Sequence, residues 1–186
     1  MEWGILGKIG FDILTGEYTV TLDEAGRINL PKRLRDILEK DKVWLTRGID
    51  RCLRLYTTGR FDEMRRAIID TTNQFIVNDS SLRRRILAAQ DLDIDKQGRI
   101  LVPPMLREWA GLSRDCVVIG QYDYVEIWAE DRYREYLNAS EDEFRVGSEK
   151  LGTKIMKEKD INNDGDRSHS GTAGGNDTIA RPKGQV

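Results

Sequence analysis

Leu22-Asp23-Glu24-Ala25-Gly26-Arg27-Ile28-Asn29-Leu30-Pro31 returns 72 positions later as Ile94-Asp95-Lys96-Gln97-Gly98-Arg99-Ile100-Leu101-Val102-Pro103. The same offset carries Leu34-Arg35 onto Leu106-Arg107, Gly48 onto Gly120, Leu53 onto Val125, Leu55 onto Ile127 and Tyr56 onto Trp128, without a gap. A constant register over about forty residues marks two copies of one small unit, and a repeat of this kind decides the architecture before any other feature.

Each copy reads as strand, strand, helix, strand, strand. In the first, residues 19–22 and 27–30 alternate polar and apolar around Asp23-Glu24-Ala25-Gly26, which supplies turn residues with Gly where positive φ is needed, so a β-hairpin is expected. Pro31 suits the first position of a helix, and Leu34, Ile37 and Leu38 continue at helical spacing to about Lys40. Residues 43–47 and 52–56 form a second strand pair around Gly48-Ile49-Asp50-Arg51. The second copy repeats the plan, with a helix over 103–110 stopped by Gly111 and strands over 116–119 and 124–128. Helices are predicted between the copies over 60–70 and 81–90, the latter capped by Ser80 or Ser81, and after the second copy over 130–137. Beyond Phe144 the apolar periodicity ends and the chain turns polar and Gly-rich, which predicts a disordered tail. The division is therefore an N-terminal extension (1–15), unit 1 (16–60), a helical linker (61–88), unit 2 (89–132), a helix (133–144) and a tail (145–186).

Composition sets bounds on function. Units of about 45 residues are too small to bury a core alone, so the two are expected to share one. No run of eighteen apolar residues occurs, and residues 1–15 lack the basic head and apolar core of a leader, which together point to a cytoplasmic protein. Cys52 and Cys116 fit no metal spacing and read as small buried hydrophobes. The sole histidine, His169, lies in the tail, and there is no nucleophile elbow, phosphate-binding loop or HExxH, so the chain does not read as an enzyme and no cofactor is implied. Asn162-Asn163-Asp164-Gly165-Asp166 lacks the spacing and closing Glu of a calcium loop.

A formal charge of −2 excludes an undifferentiated basic surface, yet the charge is segregated. Residues 17–60 hold ten basic against seven acidic side chains, a net of +3; residues 89–132 hold five against nine, a net of −4. The first unit is the better face for a polyanion. Lys32, Arg33 and Arg35 crowd the first turn of a helix, where positive charge opposes the macrodipole and a phosphate would offset the penalty. Arg27 and Arg99 alternate away from inward Ile28 and Ile100, and an exposed Arg reads guanine N7 and O6 bidentately or clamps phosphate. Arg107 occupies the position of Arg35 in the second copy and completes the candidate DNA-binding set of Arg27, Arg99, Lys32, Arg33, Arg35 and Arg107. Asp23, Gly26, Asp95 and Gly98 are assigned to turn formation, with an intramolecular Asp–Arg pair as the alternative. Arg65-Arg66 and Arg83-Arg84-Arg85 read as solvated or intersubunit helix faces, and Trp44, Trp109, Tyr122, Tyr124 and Trp128 as core or interface rather than stacking platforms.

Two Asp-x-x-x-Arg turns, each followed by Pro and a short helix, resemble the tandem SpoVT-AbrB units of the MraZ family of bacterial transcriptional regulators. The resemblance spans residues 16–136 and includes Gly16-Glu17-Tyr18 leading into Leu22-Asp23, and Leu106-Arg107-Glu108-Trp109-Ala110-Gly111-Leu112. It implies an α+β, mainly β fold in which two tandem swapped-hairpin SpoVT-AbrB-like units form a pseudo-dimeric β-barrel with flanking helices. It also implies double-stranded DNA as partner, a homo-oligomeric ring, a nucleoid location, and recognition of short repeated boxes upstream of the cell-division and cell-wall gene cluster that contains its own gene. No membrane and no small-molecule substrate enter that picture. The sequence departs from the family at Ala25, where Lys is usual, at residues 1–14, which precede the usual start, and in the tail. A function of another class, an oligomeric scaffold or antitoxin-like protein-binding module on the same barrel, differs in salt dependence: DNA binding weakens steeply as salt rises, an apolar protein contact does not.

Overall fold

Thr19, Val20, Val43, Val117 and Val118 stiffen their segments toward extended backbone, and the computed structural model, which describes residues 13–38 and 42–167, is built around antiparallel strands. In chain order the first copy contributes β1 (Leu14–Thr21), β2 (Arg27–Asn29), α1 (Lys32–Leu38), β3 (Val43–Arg47) and β4 (Leu53–Thr57). Helices α2 (Thr58–Thr71) and α3 (Val77–Ile86) follow. The second copy contributes β5 (Gln90–Leu92), β6 (Arg99–Leu101), α4 (Pro104–Ala110), β7 (Asp115–Tyr122) and β8 (Val125–Ala129) before α5 (Glu130–Ala139) and α6 (Glu141–Arg167).

The copies pair with each other more than with themselves. Six strands form one antiparallel sheet in the order β1-β7-β8-β4-β3-β5, and β2 pairs with β6 in a separate two-stranded ribbon. In the ribbon Ile28 faces Ile100, and in the sheet Arg54 faces Glu126, each residue meeting its own counterpart 72 positions away. A pseudo-two-fold axis therefore relates the copies and passes through both pairs. The predicted hairpins are corrected accordingly: β1 lies along β7 of the other copy over eight residue pairs, and only an isolated bridge, Leu22 to Ile28, links it to β2. Pairing across copies wins because it satisfies a long row of backbone groups that a hairpin with a three-residue second strand would leave open. Among the described residues no hydrogen-bonded pairing joins β1 to β5, so the strand order ends at these two edges.

The apolar face of this arrangement is one core. Ile28, Leu30, Leu34, Leu53 and Leu55 are completely or almost completely buried together with their counterparts Ile100, Val102, Leu106, Val125 and Ile127. Leu14, assigned from sequence to an extension, belongs to this core as the first residue of β1; the other extension residues up to 12 lie outside the described ones. Cys52 and Cys116 are buried and free, and burial pushes their thiols up to about 12 and about 11, so both stay protonated at neutral pH. Aromatic rings cover the rest of the sheet: Trp44 stacks on Phe61 at 4.8 Å between centroids, and Trp128 lies 5.7 Å from Tyr133 of α5.

Two helices differ from expectation. Helix α3 starts at Val77 and ends at Ile86 rather than covering 81–90, its start held by Asn73 N–H donating to Asp79, so Ser80 and Ser81 fall inside it and Gln90 joins a strand. The tail predicted as disordered from 145 carries α6 as far as Arg167, while residues 168–186 lie outside the described ones. Glu141, Asp142 and Glu143 in its first turn suit the macrodipole, and Arg145 pairs with Asp142 at 3.2 Å and Glu149 at 4.0 Å, so local terms support the helix. Residues 138–186 separate as a second compact unit from 1–137.

Candidate nucleic-acid interface

The ribbon is the element that positions the candidate side chains. Because Ile28 and Ile100 are buried, strand alternation sends Arg27, Asn29, Arg99 and Leu101 to the opposite, outer face, where Arg27 lies opposite Leu101 and Arg99 opposite Asn29. Asn29 and Leu101 are exposed and the two arginines half-buried. Sequence reading named the arginines and missed Asn29 and Leu101, although the same alternation around Ile28 and Ile100 carries the signal.

Each ribbon strand leaves a tight turn. Asp23 O accepts from Gly26 N at 2.8 Å and Asp95 O from Gly98 N at 2.8 Å, and the glycines stand at φ +84° and +79°. The turns are locked by the opposite copy: Leu30 N donates to Gly98 O and Val102 N to Gly26 O, both at 2.9 Å. Arg35 lies over Gly98 and donates to Gln97 O at 3.3 Å, while Arg107 lies over Gly26, so closely that a Cβ on either glycine would collide with the guanidinium. Thus Arg35 and Arg107, nominated from sequence as DNA contacts, lie against the turns of the other copy, and Arg35 is hydrogen-bonded there. Lys32 and Arg33 are exposed on α1 and have no bonded partner among the described residues.

The two tips differ electrically. Asp95 accepts from Gln97 N and Arg99 N and also from Arg99 Nε, all at 2.9 Å, and Asp23 Oδ2 lies 3.9 Å from Arg99 Nη1. The Arg99 N–H bond, with further help from the guanidinium, holds the Asp95 carboxyl below its usual value. Among the described residues Asp23 accepts one hydrogen bond, from the backbone N–H of Arg27 at 2.7 Å. Both aspartates therefore answer Arg99, and the Arg27 guanidinium has no hydrogen bond or ion pair among the described residues. Both aspartates thus form their turns, and in the second copy Asp95 also pairs with the arginine of its own turn.

The other candidate clusters lie elsewhere. Arg65 pairs with Asp62 at 2.9 Å on α2, and Arg83, Arg84 and Arg85 end α3. Trp109 is covered by Arg47 and Arg51 at 5.9 and 5.4 Å from its ring centroid, which ties α4 to the β3–β4 turn. Among the described residues no group of His, Cys, Asp or Glu is arranged to hold a metal ion, and no helix is long and apolar enough to cross a membrane.

A family model described as "MraZ protein, putative antitoxin-like" matches residues 13–76 and 86–153, one stretch for each copy. The chain belongs to the MraZ family. Its MraZ relatives include the transcriptional regulator MraZ of Treponema denticola, 39% identical over 140 residues, which cover 75% of this chain and 97% of the relative. The protein of the same name from Treponema pallidum (strain Nichols) is 39% identical over 138 residues, covering 74% and 93%, and that of Cutibacterium acnes 42% over 133 residues, covering 69% and 90%. The MraZ match reaches to residue 153 and so includes the start of α6.

Proposed function

We propose that this MraZ family chain is a sequence-specific double-stranded DNA-binding transcriptional regulator whose β2–β6 ribbon enters the major groove. The observation that carries the reading is the ribbon's outer face, with Arg27 unanswered by any acid among the described residues and Lys32 and Arg33 exposed close behind it in sequence. A two-stranded ribbon fits the major groove, where Arg reads guanine and flanking Lys and Arg neutralise phosphate. The names of the relatives support the same class. Of the nominated contacts, Arg27 is the principal reader, Lys32 and Arg33 bind phosphate, Arg99 contributes less because two aspartates hold it, and Arg35 and Arg107 act through the turns they cover.

The family resemblance extends the proposal to the SpoVT-AbrB barrel, to the promoter of the chain's own cell-division and cell-wall gene cluster, and to a cytoplasmic, nucleoid-associated ring. Each ring would engage several adjacent short boxes, since one ribbon touches few phosphates and linked sites gain by effective concentration. The test is a gel shift with DNA from upstream of its own gene at two salt concentrations. Arg27→Ala is expected to lose about 1–3 kcal/mol per engaged subunit and to relax sequence preference, and Lys32→Ala to weaken all sequences alike and flatten the salt slope. Binding insensitive to salt and to Arg27→Ala would favour the protein-binding module instead. Light scattering showing a monomer, or equal affinity for one box and for several, would remove the ring.

A further inference from the structure

The two halves of the ribbon face are chemically unlike. Going from ribbon to helix in the first copy, the exposed positions are Asn29, Lys32 and Arg33; the matching positions of the second copy are Leu101, Pro104 and Met105. Leu101 is 51% exposed and Met105 63%. A single exposed leucine is ordinary on a protein surface. Leu101, however, lies directly across the ribbon from Arg27, with Arg99 two residues before it on the same face. Here an apolar side chain stands inside the cationic patch that meets the groove.

We infer that Leu101, with Met105 beyond it, contacts the 5-methyl group of a thymine next to the guanine read by Arg27. This rests on the DNA reading proposed above and deepens it. The physical case is one of matching chemistry and spacing. Of the groups that the four bases show in the major groove, the thymine methyl is the apolar one, and apolar side chains contact it. Cross-strand neighbours in a ribbon hold their Cβ atoms about 5 Å apart, against a step of about 3.4 Å between bases along a strand, so Arg27 and Leu101 reach the same or adjacent base pairs. The pseudo-two-fold axis through Ile28 and Ile100 would give both halves one specificity if the copies were identical. With an amide on one side and a leucine on the other, the ribbon reads an asymmetric box and has a direction on the DNA.

The test uses the full-length chain and two versions of the duplex from upstream of its own gene, one natural and one with deoxyuridine replacing every thymidine. The change removes methyl groups while leaving base pairing intact. The natural duplex is expected to bind about threefold to fivefold more tightly for each methyl contacted, the scale of one buried methylene. Leu101→Asn, which restores the residue of the first copy, is expected to bind both duplexes alike. Arg27→Ala is expected to bind both weakly while keeping their ratio. Met105→Ser serves as a second variant on the same patch, and circular dichroism checks that each is folded. Restoring thymines singly should locate the methyl beside the guanine at which 7-deazaguanine weakens the parent but not Arg27→Ala. Equal binding of both duplexes by the parent, or undiminished discrimination by Leu101→Asn, overturns the inference and leaves the DNA reading standing. Binding of neither duplex overturns the DNA reading and the inference with it.

Discussion

A side chain on Gly98 would have to stand at φ +79° with its Cβ against the Arg35 guanidinium, and Gly26 presents the same pair of obstacles with φ +84° and Arg107. Left-handed backbone costs a residue with a Cβ about 1–2 kcal/mol, so Gly98→Ala is expected to destabilise by that amount, read from urea melts. The double variant Gly98→Ala/Arg35→Ala should lose less than the sum of the singles, because the collision is shared. Asp95 gives a pH prediction. Its carboxyl titrates below the ordinary 3.8, so its contribution is present above that value and is lost as pH falls through the lower folded value. Asp95→Asn should therefore remove part of the acid-induced destabilisation seen below pH 3.8, measured by circular dichroism in an acid titration.

At the scale of elements, strands β4 and β8 meet on the pseudo-two-fold axis, where a chain paired with an identical copy of itself would set two like charges face to face. Divergence of the copies has put Arg54 on one side and Glu126 on the other, 3.1 Å apart and mostly buried, with Trp128 Nε1–H donating to the second Glu126 oxygen at 3.0 Å. Glu126→Ala leaves a mostly buried guanidinium and an indole N–H without their acceptor and is expected to cost about 3 kcal/mol. Arg54→Met/Glu126→Leu should recover most of that loss, since an apolar pair of similar volume needs no desolvation of charge. Thermal melts of the single and double variants distinguish the two outcomes. If Glu126→Ala melts like the parent, the pair contributes nothing to stability.

For the whole molecule, the pairings β1–β7, β2–β6, β3–β5 and β4–β8 all cross from one copy to the other, and β3–β4 is the pairing that stays within the first. A chain ending at Gln90 would lose the cross-copy partners of four strands, with only Gln90 of β5 left beside β3, and the second-copy half of the core. It is expected to show no cooperative melt as a monomer, whereas a chain ending at Ala139 should melt close to the parent. Calorimetry of both chains checks this, and a cooperative monomeric transition in the shorter one would mean that a single copy carries its own core.

The repeat, the turns and most of the helix and strand positions were legible in the sequence because they rest on local chemistry: Gly where φ is positive, Pro before a helix, apolar alternation around Ile28 and Ile100. The interdigitation of the copies was not readable from strand patterns, since β1 alternates in the same way whether it lies along β2 or along β7. The inequality of Arg27 and Arg99 was equally hidden. Both follow an Asp at the same spacing, and only packing of the two tips side by side turns Asp23 toward Arg99 and leaves Arg27 free of acids among the described residues. That Arg35 and Arg107 lie against a glycine of the other copy, 63 and 81 positions away along the chain, was not legible in the sequence, because composition counts charge and not contact and tertiary structure alone closes that distance. Helix α6 went unread for the opposite reason, because its support is local charge pairing and acidic residues at its start, while the sequence pattern that signals a buried face is missing.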